Sequence, residues 1–493
     1  MKQRETGIYA ADIRNVRGFR EFRTKPCGNW GYFRMMITKR FTLLGGLTLL
    51  AIPLTVAAQP APAPQNILPP AIAPKPAKDA PPTAPAPATG PATAAAPVIP
   101  VQPVVQEWNV AAAKALLAVI ETIGQEGLIP ADYKPQVLRD AIAGGKGPAL
   151  DQAASTSFAW LVEDLRDGRT PMSARVQWFV VDSDADDMPT AALMTKALDT
   201  NDVAGVLASL APAHPDYARL KQELAATPKA ETRKRALIRA NMDRWRWLSR
   251  DLGSQYLITN VPEMQLRLTV NDKIIRTYRT IVGKPGKTAT PQLAETVEGV
   301  IFNPTWTVPQ SIVKGEGLGA RLLANPGSAR AQGYKVTRGA NGYVSVVQQP
   351  GPNNSLGLVK LDMPNPHAIF LHDTPNRNLF NQASRALSHG CIRTERALEM
   401  AMTMAIIGGG ASAEQAVAIS KSKEYTRVPM TKHVPVYITY FTMAQDINGK
   451  LSTFADLYSR DAPVLTSFEK PRVANRPRKS SEKVVEIVDD LQT

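Results

Sequence analysis

The hydrophobic pattern of this 493-residue chain changes its period after Gly253. From Trp108 to that glycine, apolar residues recur at the spacing of amphipathic helices. Beyond it, short runs rich in β-branched and aromatic residues, such as QYLITNV and MQLRLTV, are divided by Pro, Gly and Asn. The pattern predicts an α+β chain, with an all-α domain at residues 106–250 and a mostly-β domain at residues 251–461.

The sequence before the helical pattern does not resemble a folded domain. Residues 59–105 form a Pro/Ala-rich tract, which we predict to be a disordered, semi-rigid linker because proline fixes φ and removes a backbone donor. Residues 35–58 contain two basic residues, an apolar run and small residues at its end, as a cleaved signal peptide does. The apolar run is too short and too interrupted for a membrane anchor. Residues 1–34 are then a basic extension, consistent with a mis-assigned start.

The net charge of +15 raises the question of nucleic-acid binding. Removal of residues 1–58, which hold ten basic and three acidic residues, would leave a charge near +8. Part of the remaining excess lies in residues 462–493, which we predict to be a disordered basic tail. Charge describes association rather than fold, so it does not by itself indicate nucleic acid. For an exported protein, the cell envelope and substrate carboxylates are the expected anionic partners.

The chain has two cysteines, and cleavage of the signal would leave Cys391 alone. A single thiol cannot form an intramolecular disulfide, and in an oxidising compartment it is a liability unless it is buried or reactive. Three of the five histidines fall within the 25 residues that end at Cys391. His372 ends a predicted strand, and the chain returns to Cys391 after a loop, so the imidazole could take the thiol proton. His389 lies two residues before the cysteine and would share its face in an extended segment.

The neighbouring residues favour acyl transfer. Gly390 would let the backbone approach a substrate carbonyl, and the amide of Cys391 could donate to a developing oxyanion. Arg393 offers a planar fork for a carboxylate. Two alternatives stay open: a buried structural thiol, and a zinc site formed by His372, His389 and Cys391 with an open fourth position, although the spacing of common zinc sites is missing.

The segment HDTPNRNLFNQASRALSHGCIR resembles the signature of the L,D-transpeptidases (YkuD domain), in which a His precedes Ser-His-Gly-Cys. In papain-like peptidases, by contrast, the cysteine comes first. The segments VGKPGKTATP, IFNPTWTVPQSI and GPNNSLGLVKLDMPN are similar to the large Gram-negative branch, which has a helical scaffold domain. The resemblance covers roughly Trp108 to Asp461. Two departures are Phe370, where relatives often have Tyr, and a helical part too short for a full peptidoglycan-binding module.

This resemblance implies a YkuD-like fold, described as a β-sandwich or barrel, and a set of catalytic roles. Cys391 would be the nucleophile and His372 the base that generates its thiolate. The carbonyl of Asp373 would orient the imidazole, although from its position alone the residue reads as a turn former. His389 would shape the site and help to stabilise the oxyanion.

The resemblance also implies substrate-binding residues. Arg393 would hold a substrate carboxylate, and Ser388 and Gly390 would contact the reacting peptide. Trp306 would join a lid formed by the Gly-rich segment at residues 306–350.

The activity implied is that of a periplasmic cysteine acyltransferase of Gram-negative bacteria. The enzyme attacks the third residue of a peptidoglycan tetrapeptide stem, releases D-alanine and holds a thioester. An amine of a diamino acid then resolves the thioester as a 3→3 cross-link. Acylation by carbapenems is also implied; neither a metal nor an organic cofactor is needed, and no nucleic acid takes part. A membrane would be involved only through an uncleaved signal peptide.

Alternatives from other classes are an L,D-carboxypeptidase, a zinc amidohydrolase and a non-catalytic wall-binding scaffold. The sequence leaves open whether the acceptor is a stem peptide, an outer-membrane protein or a D-amino acid. It is also silent on the oligomeric state.

Overall fold

The computed structural model describes residues 104–180, 184–271, 273–474 and 477–483. The predictions for residues 1–34 and 35–58, and for the linker as far as residue 103, lie outside these ranges. Within them, no helix combines the length and the apolar character that crossing a bilayer requires.

The first part of the described chain is helical. Its helices are α1 (Val110–Thr122), α2 (Pro135–Ala143), α3 (Pro148–Asp167), α4 (Asp184–Asp187), α5 (Thr190–Asp199), α6 (Val203–Ala208), α7 (Pro215–Ala226) and α8 (Thr232–Trp245). Proline begins α2, α3 and α7, where its missing N–H costs nothing, and the Asn109 side chain accepts from the Ala112 amide to cap α1. Apolar faces of α1, α3, α5 and α6 form one buried core.

Strands dominate the second part. They are β1 (Gln255–Asn260), β2 (Gln265–Val270), β3 (Lys273–Gly283), β4 (Leu293–Phe302), β5 (Trp306–Thr307), β6 (Tyr334–Arg338), β7 (Val344–Gln348), β8 (Val359–Asp362), β9 (Leu371–His372), β10 (Ala386–Ser388), β11 (Ile392–Thr394), β12 (Thr426–Thr439), β13 (Met443–Gln445) and β14 (Leu451–Thr453). The remaining helices are α9 (Leu318–Ala324), α10 (Pro326–Ala331), α11 (Ala397–Ile407), α12 (Ala413–Ser422) and α13 (Asp461–Glu469). An all-α part followed by a mostly-β part confirms the predicted fold class.

The main sheet closes on itself. Its order is β10-β3-β11-β9-β8-β4-β12-β1-β2, and β2 also pairs with β3. Eight of the described strands therefore form a barrel, with β10 added beside β3. Buried residues of these strands and of α11 share one hydrophobic core. Closure satisfies the backbone groups that an open edge would expose.

The lid segment, residues 306–350, lies between β4 and β8 in the chain. It contains the three-stranded sheet β5-β7-β6, a π-helical turn at Ser311–Gly315, and α9 and α10. The segment is thus an ordered part of the fold with its own small sheet, rather than a plain hairpin connection.

The prediction of a disordered tail from residue 462 is wrong for its first part. Helix α13 packs against α8, and Arg472 donates to both carboxylate oxygens of Asp164 on α3 at 3.0 and 3.1 Å. Both of these side chains are buried. The tail was interpreted from its net charge, which does not reveal that one arginine has a buried carboxylate partner far away in the sequence. We call residues 461–474 the C-terminal strap.

Candidate active site

The register of three adjacent strands places the reactive residues on one face of the barrel. Lys360 of β8 is the partner of His372 of β9, and His372 is the partner of Arg393 of β11. Partners in neighbouring strands point to the same face, and so does every second residue along a strand. Phe370 and Cys391 therefore lie on this face too. The register thus places the histidine and the cysteine on the same face, and their direct contact stays a prediction.

Cys391 lies immediately before β11 and carries a free thiol. The residue is only 1% exposed, and its Sγ lies 3.6 Å from the carbonyl oxygen of Ala368. Burial raises the pKa of Cys391 to about 11, although a hydrogen bond from the Phe370 backbone and the positive charges of Lys360 and Arg393 act in the opposite direction. The thiol is therefore protonated at neutral pH.

His372 is held in one tautomer. Its Nδ1 lies 2.6 Å from the carbonyl oxygen of Asp373. Since a carbonyl can only accept, Nδ1 carries the proton and Nε2 keeps its lone pair. Burial, followed by the charge of Arg393, lowers the pKa of His372 to about 3. The imidazole is therefore neutral and able to accept a proton.

The carboxylate of Asp373 serves the loop and not the imidazole. It accepts from the Leu358 amide at 2.9 Å and pairs with Arg377 at 3.2 Å. Burial raises the pKa of Asp373, against the hydrogen bonds that lower it. Only the backbone of this residue thus contacts the histidine, which is the contact that the predicted orienting role requires.

The loop before the cysteine is fixed from inside. Gly390 has φ of +124°, in the region that favours glycine. The Ser388 hydroxyl donates to the Cys391 carbonyl at 2.6 Å and accepts from the Gly390 amide at 3.1 Å. Thr290, which the sequence did not single out, donates to the Gly390 carbonyl at 2.7 Å. Both hydrogen bonds of the Ser388 hydroxyl therefore lie within the loop itself. The predicted contact of Ser388 with substrate stays a prediction.

His389 joins this loop to the lid segment. Its Nε2 lies 3.3 Å from Oε1 of Glu316, while its Nδ1 is buried with no hydrogen-bond partner among the described residues. Burial lowers the pKa of His389, Glu316 raises it, and Lys284 lowers it. Sequence reasoning missed Glu316, although it is the one acidic residue in the segment.

Two cations, the buried Arg393 and the partly buried Lys360, act on the thiol. Arg393 is 1% exposed, and both of its terminal nitrogens lack a hydrogen-bond partner among the described residues. Burial lowers the pKa of Arg393 to about 9 and also lowers that of Lys360. Lys360, a second residue that the sequence did not single out, has its Nζ 3.9 Å above the centroid of the Phe370 ring. A guanidinium buried without a partner is costly, and an incoming carboxylate would relieve that cost.

Trp306 is fully buried in the hydrophobic core that includes Val346 of β7. It anchors the small sheet of the lid segment, and its predicted contact with a substrate stays a prediction. Within the described ranges, no three or more His, Cys, Asp and Glu side chains are grouped to hold a metal ion.

Comparisons with known proteins divide the chain into two matched regions. Residues 254–430 match the family model of the YkuD L,D-transpeptidase catalytic domain, and residues 106–224 match that of a scaffold domain. A curated L,D-transpeptidase homologue from Haemophilus influenzae is 29% identical over 223 residues, which cover 42% of this chain and 45% of that protein. The chain therefore spans less than half the length of this relative.

Solved structures were compared as well. The L,D-transpeptidase from Mycobacterium smegmatis has 14% identity and a TM-score of 0.19, over 38% of this chain and 58% of that one. The L,D-transpeptidase 1 of Mycobacterium tuberculosis has 11% identity and a TM-score of 0.17, over 38% and 61%.

Proposed function

We propose that this chain, which carries the L,D-transpeptidase (YkuD) catalytic domain at residues 254–430, forms 3→3 cross-links in peptidoglycan through a thioester on Cys391. The observation that carries the proposal is the neutral imidazole of His372. Its Nδ1 is fixed at 2.6 Å from the Asp373 carbonyl, and it lies on the same barrel face as the buried thiol. A general base must be neutral and lie near its nucleophile, and the fixed tautomer and the shared face support both conditions.

In the first half-reaction, Sγ of Cys391 attacks the carbonyl carbon of the third residue of a tetrapeptide stem. The thiol proton passes to Nε2 of His372, and the electron pair of the carbonyl moves onto its oxygen. The C–N bond to the terminal D-alanine then breaks, and His372 returns the proton to the departing amine. A thioester and free D-alanine are the products.

The charges around the thiol support an acidic donor. A stem peptide carries carboxylates, and the unpaired guanidinium of Arg393 offers two parallel donors to one of them. Lys360 and the amide of Cys391 would stabilise the negative charge that develops on the carbonyl oxygen, because such groups act strongly in a site that excludes water.

In the second half-reaction, the amine of a diamino acid on a neighbouring stem attacks the thioester. Water competes for the same carbon, so the lid segment would favour transfer by excluding it. The alternative with water as acceptor is an L,D-carboxypeptidase, which would release D-alanine without forming a cross-link. On the basis of the signal-like residues 35–58, we place this reaction in the periplasm.

The decisive experiment measures the intact mass of the protein from Gln59 onward after incubation with a carbapenem, and then with purified tetrapeptide dimers. We expect one adduct that is lost in Cys391→Ala, followed by free D-alanine and tripeptide-containing cross-links. D-alanine without cross-links would favour the carboxypeptidase. If neither adduct nor D-alanine forms, the nucleophile assignment fails. Zinc analysis with chelators and wall-binding assays would then test the amidohydrolase and the scaffold.

A further inference from the structure

The lid segment brings one negative charge to the active site. Residues 306–350 contain five lysines and arginines and a single carboxylate, Glu316. This residue lies between Gly315 and Gly317, and its side chain is 45% exposed at the point where the segment meets His389. The 3.3 Å contact with Nε2 of His389 links it directly to the loop that carries the nucleophile. Glu316 is therefore partly exposed to solvent and also contacts the histidine two residues before Cys391.

The other charges at this centre are positive. Lys360 and Arg393 are the charged side chains that act most strongly on the thiol and on the catalytic imidazole, and Lys284 acts with Arg393 on His389. Glu316 is the carboxylate among the groups that act most strongly on these three reactive side chains. This excess of positive charge favours the binding of an anionic donor. It disfavours the binding of a cationic second substrate that must enter afterwards.

The acceptor of the proposed reaction is such a cation. An alkyl amine is an ammonium at neutral pH, because its pKa resembles that of lysine. Buried positive charges repel an ammonium, and a low-dielectric site screens that repulsion poorly. The second substrate therefore needs a carboxylate at the entrance and a group that takes one proton, because only the free amine attacks a thioester.

We infer that Glu316 is the residue that recognises the acceptor ammonium, and that the Glu316–His389 pair removes its proton. The inference rests on the proposed transpeptidase function. The ammonium gives one proton to the pair and its nitrogen lone pair forms the C–N bond. The C–S bond breaks, and the sulfur of Cys391 takes the second proton from nitrogen through His372. The products are an amide and a thiol, with the first proton left on the pair for release to solvent.

A different role for Glu316 predicts different kinetics. If its contact with His389 only held the lid segment closed, its loss would alter every step that uses the site. If it recognises the ammonium, its loss would slow only transfer to a cationic acceptor. Hydroxylamine separates the two cases, because it is a small amine nucleophile that is uncharged at neutral pH.

The experiment compares the full-length protein with Glu316→Gln and with Lys314→Gln, an exposed lid variant two residues away that serves as the matched control. Three rates are measured by mass spectrometry for each protein: acylation by a carbapenem, transfer from a tetrapeptide donor to a stem-peptide amine, and transfer from that donor to hydroxylamine. For Glu316→Gln we expect transfer to the stem amine to fall at least tenfold, and the other two rates to stay within about twofold, as all three should in the control.

Two results would overturn the inference. One is an equal loss of all three rates, which would assign Glu316 to closing the lid segment. The other is an unchanged rate with the stem amine. A failure of the proposed function is recognised separately, because the unaltered protein would then form neither the carbapenem adduct nor any transfer product, and the inference would fall with it.

Discussion

The protonation states of Cys391 and His372 predict how acylation depends on pH. Burial raises the pKa of Cys391 to about 11 and lowers that of His372 to about 3. Both shifts oppose the transfer of a proton from sulfur to nitrogen before substrate binds. A thiolate–imidazolium pair is therefore not populated in the free enzyme. Proton transfer must accompany the attack on the carbonyl, with His372 as a general base.

Proton transfer that accompanies the attack predicts an acylation rate that hardly depends on pH. His372 is neutral above its own pKa, and the Cys391 thiol is protonated below its own pKa. Neither group therefore changes its protonation state between about pH 5 and about pH 9. We expect the single-turnover rate of acylation by a carbapenem to vary little across this range. Alkylation of Cys391 by a small neutral reagent, which needs the free thiolate, should instead rise about tenfold per pH unit.

His372→Gln is the control, because it removes the base and leaves the thiol buried. Its acylation rate should fall by about 10²- to 10⁴-fold at every pH in the range, the usual contribution of a general base. An alkylation rate that reaches a plateau near neutrality in the unaltered protein would refute the argument, since it would show a thiolate already formed.

Three further predictions concern stability and the catalytic loop. Arg472→Ala should lower the free energy of unfolding by about 3 to 5 kcal/mol in urea titration, because it removes a buried guanidinium that pairs with the buried Asp164 carboxylate at 3.0 Å. Arg478→Ala, at a pair on the surface, should have a much smaller effect. The folded-state pKa of His372 lies below its unfolded value, so its contribution is present above pH 6.5 and is lost as the pH falls towards 3. Calorimetry should show that the unaltered protein loses on the order of 2 kcal/mol more stability between pH 7 and pH 5 than His372→Gln does, because His214, another histidine with a lowered pKa, titrates in both proteins. Gly390→Ala should lower the acylation rate while circular dichroism shows a folded protein, because a side chain at φ of +124° carries about 1 to 3 kcal/mol of strain.

The fold class could be predicted, and His372 and Cys391 could be singled out as candidates, because their signals are local. A change from helical to strand periodicity gave the two parts, and the chain order of a histidine at a strand end followed by Ser-His-Gly-Cys gave His372 and Cys391. Lys360 and Glu316 could not be found in this way. Lys360 reaches the site through the register of β8 with β9, and Glu316 through the packing of the lid segment, and no short sequence pattern encodes either.

The C-terminal strap escaped prediction for a related reason. The composition of the residues after 461 indicates a basic, solvated end. The contribution of a charged side chain to stability, however, depends on its partner in the fold. Arg472 meets Asp164 across 308 positions of sequence, and the Tyr133 hydroxyl donates to the same carboxylate at 2.8 Å. A buried ion pair of this kind stabilises a fold only when both partners are present. Neither Arg472 nor Asp164 therefore indicates the pair when its own sequence segment is read alone.

The helical part also bears on the chemistry, through a short chain of hydrogen bonds. The Gln292 amide donates to the Gln177 carbonyl at 2.9 Å, and the Phe179 amide donates back to the Gln292 carbonyl at 3.0 Å. Two residues before Gln292, the Thr290 hydroxyl donates to the carbonyl of Gly390, next to the nucleophile. The segment after α3 thus pairs with the residues just before β4, one of which, Thr290, holds the loop that carries Cys391. Because a buried nucleophile depends on accurate placement, this pairing makes the segment after α3 part of the support of the candidate active site.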